Sequence, residues 1–464
     1  MPTSGSVPLH LSPGTCYGTP SRLERLGVVA LILVLILFGA LVEKRSAFMS
    51  RRMTDLDVYL RAAWAVRTGA NFYESTDDNG WHYHYPPLFA IALMPLADPP
   101  PGYDRTGMLP FAVSVGIWYA FSVLCLFWAI HGLASVLEQN SPDPAVRTMP
   151  RGCRRWWALR IWPFLLCLPP IGHSFMRGQV NLLLLLLLAG MAVAVLRGQH
   201  RRAGLWLAAA ICLKIIPAFL IAYPVWRRDW RCLVSCGTGL VLGLGVIPAC
   251  LFGPERTIAY YQEWDKALRQ PVMSNGDDQS RAKELTEITA TDSQSFVAVI
   301  HNILNPDRTT RPAHASPFVL MSHWLLGGGL AVLTLAAAGL RGPRSSDSEA
   351  MFLGALILVM LLLSPVCHLH YFSLSTVLVM AFLAHSWEGQ QTLRLHASWW
   401  LLFGGNLLAN AIPDLPGMEL TRDFGLATFG ALLLWMTANR LLWTRDGRQA
   451  APARPWLAVP EVAA

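Results

Sequence analysis

Residues 26–42 read LGVVALILVLILFGALV, an uninterrupted apolar run of 17 residues. A helix of that length rises about 26 Å, close to the minimum that crosses the hydrocarbon core of a bilayer. Comparable runs recur along the chain, and together they decide the fold class. They lie at 108–131, 157–173, 179–196, 203–226, 232–252, 317–340, 351–364, 371–387, 398–411 and 424–443.

The composition agrees with this pattern. Of 464 residues, 53% are hydrophobic and 14% are charged, whereas about a quarter of the residues in ordinary soluble domains are charged. A cleaved signal peptide accounts for a single apolar run, not for a series of them. The sequence therefore predicts an all-α polytopic membrane protein with about 10–12 transmembrane or half-spanning helices, and it excludes a soluble helical protein and a β-barrel.

The net charge of +8 follows from arginines in the short segments between apolar runs, which is the positive-inside pattern of membrane proteins rather than a nucleic-acid surface. Placing all of these segments in the cytoplasm requires an even number of crossings between each pair. Only the run 203–226 breaks the rule if it crosses once. The arginine-rich segments are 147–155, 197–202, 227–231, 341–344 and 445–454.

The run 203–226 carries a charge and a proline near its centre, Lys214 and Pro217. Proline interrupts the helical hydrogen-bond ladder, and a lysine at mid-membrane is costly unless it faces a partner or a cavity. We interpret the run as two half-helices that enter from the cytoplasm and return, with Lys214 near their turn. The alternative is one kinked helix and a single exception to the charge rule.

This topology places the N-terminus in the cytoplasm and two long loops, 44–107 and 253–316, outside it. The first loop contains several arginines, but loops of about 60 residues or more largely escape the charge rule. We expect a single membrane domain at 22–445, with disordered cytoplasmic ends at 1–21 and 446–464. The shorter outer turns are 174–178, 365–370 and 412–423.

The first outer loop begins with a segment, 53–69, whose apolar residues recur at helical spacing. With its tryptophan and arginines it resembles an amphipathic helix at the membrane interface. Asp55 lies at the start of this helix, where an aspartate also serves as an ordinary N-cap. Further along, His82 and His84 alternate with aromatic residues in a segment expected to be extended. Two histidines are too few to predict a metal site, and the nine cysteines form no CxxC pair.

Three further polar clusters fall on the same outer side, at 173–181, 292–296 and 364–371. Any one of them is ordinary loop polarity. Since all lie on one side, with Lys214 reaching the same level, we expect a cavity open to the outer leaflet.

These residues resemble glycosyltransferase family 87, a group of C-type (GT-C) membrane glycosyltransferases that includes polyprenyl-phosphate-mannose-dependent α-1,2-mannosyltransferases. The matching pieces run in order over about 40–380, and each is short. The chain departs from the family pattern at Asp292, often asparagine, and at His368, often tryptophan. The matching pieces are Asp55-Leu56-Asp57-Val58-Tyr59 with Gly69 and Tyr73, Tyr85-Pro86-Pro87-Leu88, Gly178-Gln179-Val180-Asn181, Lys214-Ile215-Ile216-Pro217, Ser293-Gln294-Ser295, and Ser364-Pro365 with His370.

The resemblance implies inverting transfer of a sugar, most often mannose, from a polyprenyl phosphate to a lipid or glycan hydroxyl outside the cytoplasm. A lipid phosphate leaves with its charge stabilised, so one carboxylate that accepts the hydroxyl proton suffices. No cofactor or metal is expected. Asp55-Leu56-Asp57 has the spelling of a DxD motif, but its side chains diverge by about 200° on a helix.

By family position, Asp55 is the expected catalytic base and Asp57 the second choice. His370, Lys214 and Arg177 are expected to bind the donor phosphate, although an interhelical polar contact explains Lys214 equally well. The residues expected to line the substrate site are Tyr59, Tyr85, Gln179, Asn181, Gln294 and His368.

The expected partners are the polyprenyl-phosphate sugar donor, its acceptor and membrane lipids, in the inner cell membrane and without nucleic acid. Two other functions stay open. A flippase or transporter of lipid-linked sugars predicts ionisable residues through the membrane depth and repeated halves, whereas the charges within the apolar runs are almost confined to Lys214. A non-catalytic subunit of envelope glycan assembly is not excluded by the sequence.

Overall fold

The computed structural model describes residues 16–49, 54–268, 287–290, 292–339, 345–390 and 392–446. Within these ranges the chain is helical, and extended pairing is limited to one antiparallel bridge between Thr76 and His82. The extended geometry expected around His82 is thus present as an isolated bridge rather than a strand.

The N-terminal half forms helices of very unequal length. A π-helical turn, Lys44–Phe48, extends α1, and 3-10 turns at Met94–Leu96 and Ile216–Ile221 follow α3 and α9. The helices are α1 Arg22–Glu43, α2 Thr54–Thr68, α3 Pro87–Ala92, α4 Phe111–Gln139, α5 Pro144–Arg147, α6 Arg154–Leu166, α7 Leu168–Arg177, α8 Asn181–Leu196, α9 His200–Leu213 and α10 Ala222–Trp226.

The C-terminal half continues in the same way. A π-helical segment, Val241–Val246, joins α11 to α12, and a 3-10 segment, Leu369–Ser375, leads into α17. Further 3-10 turns lie at Ile288–Ala290 and Ile412–Asp414. The helices are α11 Trp230–Leu240, α12 Ile247–Phe252, α13 Pro254–Leu268, α14 Phe296–Leu304, α15 Pro317–Ala338, α16 Ser346–Leu363, α17 Thr376–Ser386, α18 Ala397–Ala411, α19 Glu419–Asp423 and α20 Leu426–Asp446.

Among the described residues, 6 helical segments are long and apolar enough to cross a membrane. The chain is therefore a multi-pass helical membrane protein, as the apolar runs predict. The segments are Arg22–Phe48, Phe111–Gln139, Trp230–Phe252, Pro317–Ala338, Ser346–Leu363 and Leu369–Ser386.

Hydrogen bonds between loops identify the two ends of the helical bundle. At one end, which we call the arginine end, Asn140 donates to the Leu196 carbonyl, Arg155 to the Trp387 carbonyl, and Trp226 to the Gly339 carbonyl. This end carries arginines 147–155, 197–202 and 227–231. The other end, the loop end, carries the described parts of the two long connections, 54–110, 253–268 and 292–316. These three arginine segments therefore lie at the same end of the bundle.

The segment 203–226 enters the bundle and returns. Helix α9 ends at Leu213, Lys214 is extended with φ −150° and ψ 131°, and the chain continues as a 3-10 turn into α10. His200, the first residue of α9, and Asp229 after α10 hydrogen-bond at 2.6 Å, so both outer ends of the segment lie at the arginine end. A helix of 14 residues rises only about 21 Å. The segment therefore consists of two half-helices rather than one kinked helix.

Two expectations need correction. Helix α2 is helical as predicted, but it does not lie exposed at the membrane interface, because residues 56–63 are all buried in the protein. The stretch 16–21, expected to be disordered, packs at the arginine end, where the Cys16 and Gly18 carbonyls accept hydrogen bonds from the Arg155 and Arg154 amides. The expected disorder at 1–15 and 447–464 lies outside the described residues.

A candidate active site at the loop end

Asp55 lies in the first turn of α2 and meets the connection between α7 and α8. Helix α7 ends at Gly178, whose φ of 67° and ψ of 31° are the left-handed conformation that glycine adopts without steric cost. The turn is held by a 2.8 Å hydrogen bond from the Trp118 indole to the Gly178 carbonyl. It directs the side chain of Gln179 towards Asp55, and Gln179 hydrogen-bonds to the Asp55 carboxylate.

A chain of hydrogen bonds fixes the orientation of this glutamine. The Tyr59 hydroxyl donates to the Gln179 side-chain oxygen at 3.1 Å. The Tyr59 and Tyr85 hydroxyls are 3.0 Å apart, and because the Tyr59 proton is committed to Gln179, Tyr85 donates to Tyr59. The amide nitrogen of Gln179 is therefore the atom left to donate to Asp55. Three residues expected to line the substrate site thus form one hydrogen-bonded chain that leads to the expected base.

The charge state of Asp55 is set by opposing influences. Burial raises the pKa of its carboxyl above the ordinary value, while Arg177, the Gln179 hydrogen bond and Lys214 oppose the rise in that order. A carboxylate with a raised pKa is a stronger base than an exposed aspartate, which is the property that a proton acceptor needs.

Lys214 reaches the same level of the bundle from the break between α9 and α10. Its side chain is buried, at 6% exposure, and its ammonium lies 3.7 Å from the ring centroid of Tyr371 and 5.4 Å from that of Tyr85. Among the described residues it has no hydrogen-bond partner. A buried cation that lies over aromatic faces without a hydrogen-bond partner is costly, and an anion bound beside it would offset that cost.

The turn between α16 and α17 brings two histidines beside this lysine. The His368 and His370 rings are 5.2 Å apart, and His370 is 4.9 Å from the Tyr371 ring. Burial, Arg177 and Lys214 lower the pKa of His368 to about 3, so this ring stays neutral. In the part of the chain that is described, the His370 Nε2 and the Asn181 side-chain nitrogen have no hydrogen-bond partner.

Arg177, at the C-terminus of α7, is exposed, yet it acts electrostatically on Asp55, His368 and His370. One carboxylate, two cationic side chains and unpartnered polar nitrogens thus gather at the loop end. They come from four parts of the chain that are far apart in sequence.

Asp57, the second choice for the base, does not join this group. It is fully buried and pairs with Arg61 at 3.6 Å, and Arg61 also binds Asp78 at 3.1 Å. Through Arg61, Asp57 thereby ties α2 to the loop that follows it.

Gln294 is held in place by three hydrogen bonds. Its side-chain nitrogen donates to the Arg422 carbonyl at 2.7 Å, its amide donates to the Cys367 carbonyl at 2.5 Å, and its carbonyl accepts from Thr428 at 2.6 Å. It joins the second outer loop to the turn that carries His368 and His370.

Tyr371 is the site residue that sequence reasoning missed. It lies beneath Lys214, and the only signal in the sequence is its position directly after His370. No His, Cys, Asp and Glu grouping suited to a metal is found near Asp55 among the described residues. The absence of a catalytic metal remains a prediction.

The model of glycosyltransferase family 87 matches residues 83–365 of this sequence. The chain belongs to this family. The matched range includes Tyr85, Arg177, Gln179 and Lys214, whereas Asp55 lies before it and the two histidines of the turn lie after it.

Two curated relatives share part of the sequence. One is a polyprenol-phosphate-mannose-dependent alpha-(1-2)-phosphatidylinositol mannoside mannosyltransferase of Mycolicibacterium smegmatis, 32% identical over 203 residues, which are 41% of this chain and 42% of that protein. Its counterpart in Mycobacterium tuberculosis is 30% identical over 199 residues, 39% of this chain and 41% of that protein. The match thus spans about two fifths of each relative.

Among solved structures, the chain is similar to ArnT from Cupriavidus metallidurans bound to undecaprenyl phosphate. The alignment covers 90% of this chain and 77% of that one, with 14% identity and a TM-score of 0.39. This similarity is too weak to carry an inference.

Proposed function

We propose that the protein is a membrane glycosyltransferase that moves mannose from a polyprenyl phosphate to a hydroxyl of a lipid or glycan acceptor, with inversion at the sugar carbon. Asp55 is the base. The observation that carries the proposal is the placement of one supported carboxylate within electrostatic reach of Lys214 and Arg177, beside nitrogens that lack partners. The two mycobacterial relatives, by their names, use the same class of donor.

In the proposed reaction, the Asp55 carboxylate takes the proton of the acceptor hydroxyl. The acceptor oxygen attacks the anomeric carbon from the face opposite the phosphate, and the bond from that carbon to the phosphate oxygen breaks. The electron pair leaves with polyprenyl phosphate, which needs no proton to depart. One general base is therefore enough, in contrast to the paired carboxylates of glycoside hydrolysis.

The phosphate interacts with the groups that lack partners in the protein alone. Lys214 supplies a buried positive charge and Arg177 an exposed one. His370 and Asn181 supply side-chain nitrogens that hydrogen-bond to the phosphate oxygens. Charge that develops on the leaving phosphate is stabilised most when its donors are already in place and poorly hydrated. Lys214 meets both conditions, since its ammonium is buried and held over Tyr371.

The reaction takes place at the loop end, on the extracytoplasmic side of the inner membrane. Support comes from the arginines, which gather at the opposite end as the positive-inside rule requires of the cytoplasmic face. Nucleotide sugars are confined to the cytoplasm, so a lipid-linked donor suits this side.

The donor class is tested by supplying the purified full-length protein with radiolabelled mannose on polyprenyl phosphate or on GDP, together with candidate glycolipid acceptors. The proposal predicts labelled glycolipid from the polyprenyl donor alone. Transfer from the nucleotide sugar would overturn it. Movement of intact labelled donor across proteoliposomes, without a new glycosidic bond, would show a flippase instead.

A further inference from the structure

Three potential metal ligands lie together at the arginine end, away from the candidate active site. Asp347 is in the first turn of α16, His385 is near the end of α17, and Glu388 follows that helix. Helix α16 has 18 residues and rises about 27 Å, so these ligands are separated from the His370 turn by the length of the bundle.

The three side chains have the spacing of a metal site. Their nearest ligand atoms all lie within 4.8 Å of one another. His385 Nδ1 is 2.9 Å from an Asp347 oxygen and 3.8 Å from a Glu388 oxygen. Ligands about 2.1 Å from a tetrahedral zinc ion are roughly 3.4 Å apart. The two measured distances lie on either side of that value, and the Asp347–Glu388 separation is within 4.8 Å, so shifts of about 1 Å would bring the three ligand atoms to this spacing.

A small cavity adjoins the three ligands and provides room for a fourth. It has a volume of about 20 Å³, and Asp347 and Glu388 contribute to its wall together with Glu138 and Arg155. A single water molecule needs about 10–15 Å³ and several polar partners. The two charged residues in the cavity wall already have partners outside the three ligands. Glu138 pairs with Arg160 at 2.7 Å, and Arg155 donates to the Trp387 carbonyl at 2.8 Å.

We propose that Asp347, His385 and Glu388 bind one Zn²⁺ ion, with a water molecule from the adjoining cavity as the fourth ligand. One imidazole and two carboxylates are a donor set that zinc accepts. The ion joins the start of α16 to the end of α17. Between their other ends these helices carry the turn with His368 and His370, so the metal stabilises the helix pair that presents this turn.

The competing arrangement has no metal. A protonated His385 would bridge Asp347 and Glu388 as an ordinary salt bridge, at the distances observed. The two arrangements differ in metal content and in their response to a chelator, and neither readout depends on the catalytic activity.

The test uses the full-length protein in detergent, stripped with EDTA, dialysed against a zinc-buffered solution and assayed for bound metal by mass spectrometry. Glu388→Gln and His385→Gln each remove one ligand, and His396→Gln removes the exposed N-cap histidine that precedes α18 as the matched control. We expect one zinc per chain in the wild type and the control, and an affinity at least about tenfold lower in both ligand variants.

A second readout covers the case in which a ligand variant is poorly folded. Zinc added to the stripped wild type should raise the temperature of thermal unfolding, and it should not do so for Glu388→Gln, whose side chain is partly exposed. Equal zinc binding by the control and the ligand variants, or a wild type that binds no zinc, would overturn the proposal and leave the salt bridge. Binding of Mg²⁺ with equal affinity would also contradict it.

Discussion

The Tyr59 hydroxyl donates a 3.1 Å hydrogen bond to the side-chain oxygen of Gln179. This bond decides which way the glutamine amide points, and so directs an N–H at Asp55. Without this partner the amide is held by one hydrogen bond fewer and is less firmly fixed in the orientation that directs its N–H at the carboxylate. We infer that Tyr59 and Gln179 are positioning residues for the proposed base.

Replacing Tyr59 with Phe should lower kcat about tenfold with little change in the KM of the donor. The magnitude corresponds to one buried hydrogen bond of about 1–1.5 kcal/mol. Steady-state kinetics of mannose transfer measure it. Tyr119→Phe is the matched control, because the Tyr119 hydroxyl binds the Leu35 carbonyl at 2.7 Å and contacts none of the site residues. An equal loss in both variants would contradict a positioning role.

Replacing Lys214 with Met should weaken use of the donor while leaving the protein at least as stable. The buried ammonium has no ion-pair or hydrogen-bond partner among the described residues, so its removal relieves a desolvation cost and takes away a phosphate contact. We expect kcat/KM for the donor to fall about tenfold or more.

The Lys214→Met protein should unfold at the same temperature as the wild type or at a higher one. Lys266→Met serves as the control, since Lys266 forms an exposed pair with Glu263 at 2.9 Å. A Lys214→Met protein that unfolds at a lower temperature and keeps its kinetics would identify this lysine as an interhelical contact only.

The pH dependence of transfer should report the raised pKa of Asp55. The base must be ionised, and burial raises its pKa, so activity should fall on acidification at a pH above the ordinary aspartate value of about 3.9. Gln179→Leu removes a hydrogen bond that opposes the rise and should move this acid limb to higher pH. An acid limb that does not move between wild type and Gln179→Leu would contradict the assignment.

Asp55→Asn and Asp57→Asn should change stability in opposite directions. A carboxyl whose folded-state pKa is raised binds protons more tightly when folded, so it costs stability at neutral pH, and this cost disappears as pH falls below the unfolded pKa. Asp55→Asn should therefore unfold at the same or a higher temperature at pH 7. Asp57→Asn leaves Arg61 without its buried partner and should cost about 3–5 kcal/mol. Thermal unfolding in detergent measures both, and the opposite order of stabilities would contradict the two roles.

Much of the fold was predictable because membrane-spanning helices are recognisable in a sequence as long apolar runs. The break at Lys214 was predictable too, since a lysine and a proline inside an apolar run have few physical explanations. The burial of α2 inside the protein was not predictable, because the residues that pack over this helix come from segments far away in the sequence. An amphipathic pattern alone does not distinguish a membrane surface from a protein surface.

The sequence names most residues of the candidate site, but it does not show the contacts that each of them makes. Asp55 and Asp57 look equivalent in the sequence. Only the folded structure shows that Arg61 forms an ion pair with Asp57. Gln179 was expected to touch substrate, but its contacts with Tyr59 and Asp55 depend on the left-handed turn at Gly178. No sequence pattern marked Tyr371 as a site residue. Its contact with Lys214 joins two distant parts of the chain and is visible only in the folded structure.

The rate of mannose transfer by Asp55→Asn is the most direct test of the account. The purified wild type, Asp55→Asn and Asp57→Asn are compared with polyprenyl-phosphate-mannose and a glycolipid acceptor, after thermal unfolding shows that each variant is folded. Loss of a general base predicts a rate lower by about 10²–10⁴-fold in Asp55→Asn, with a smaller loss in any folded Asp57→Asn. Normal transfer by a well-folded Asp55→Asn protein would contradict the proposed mechanism.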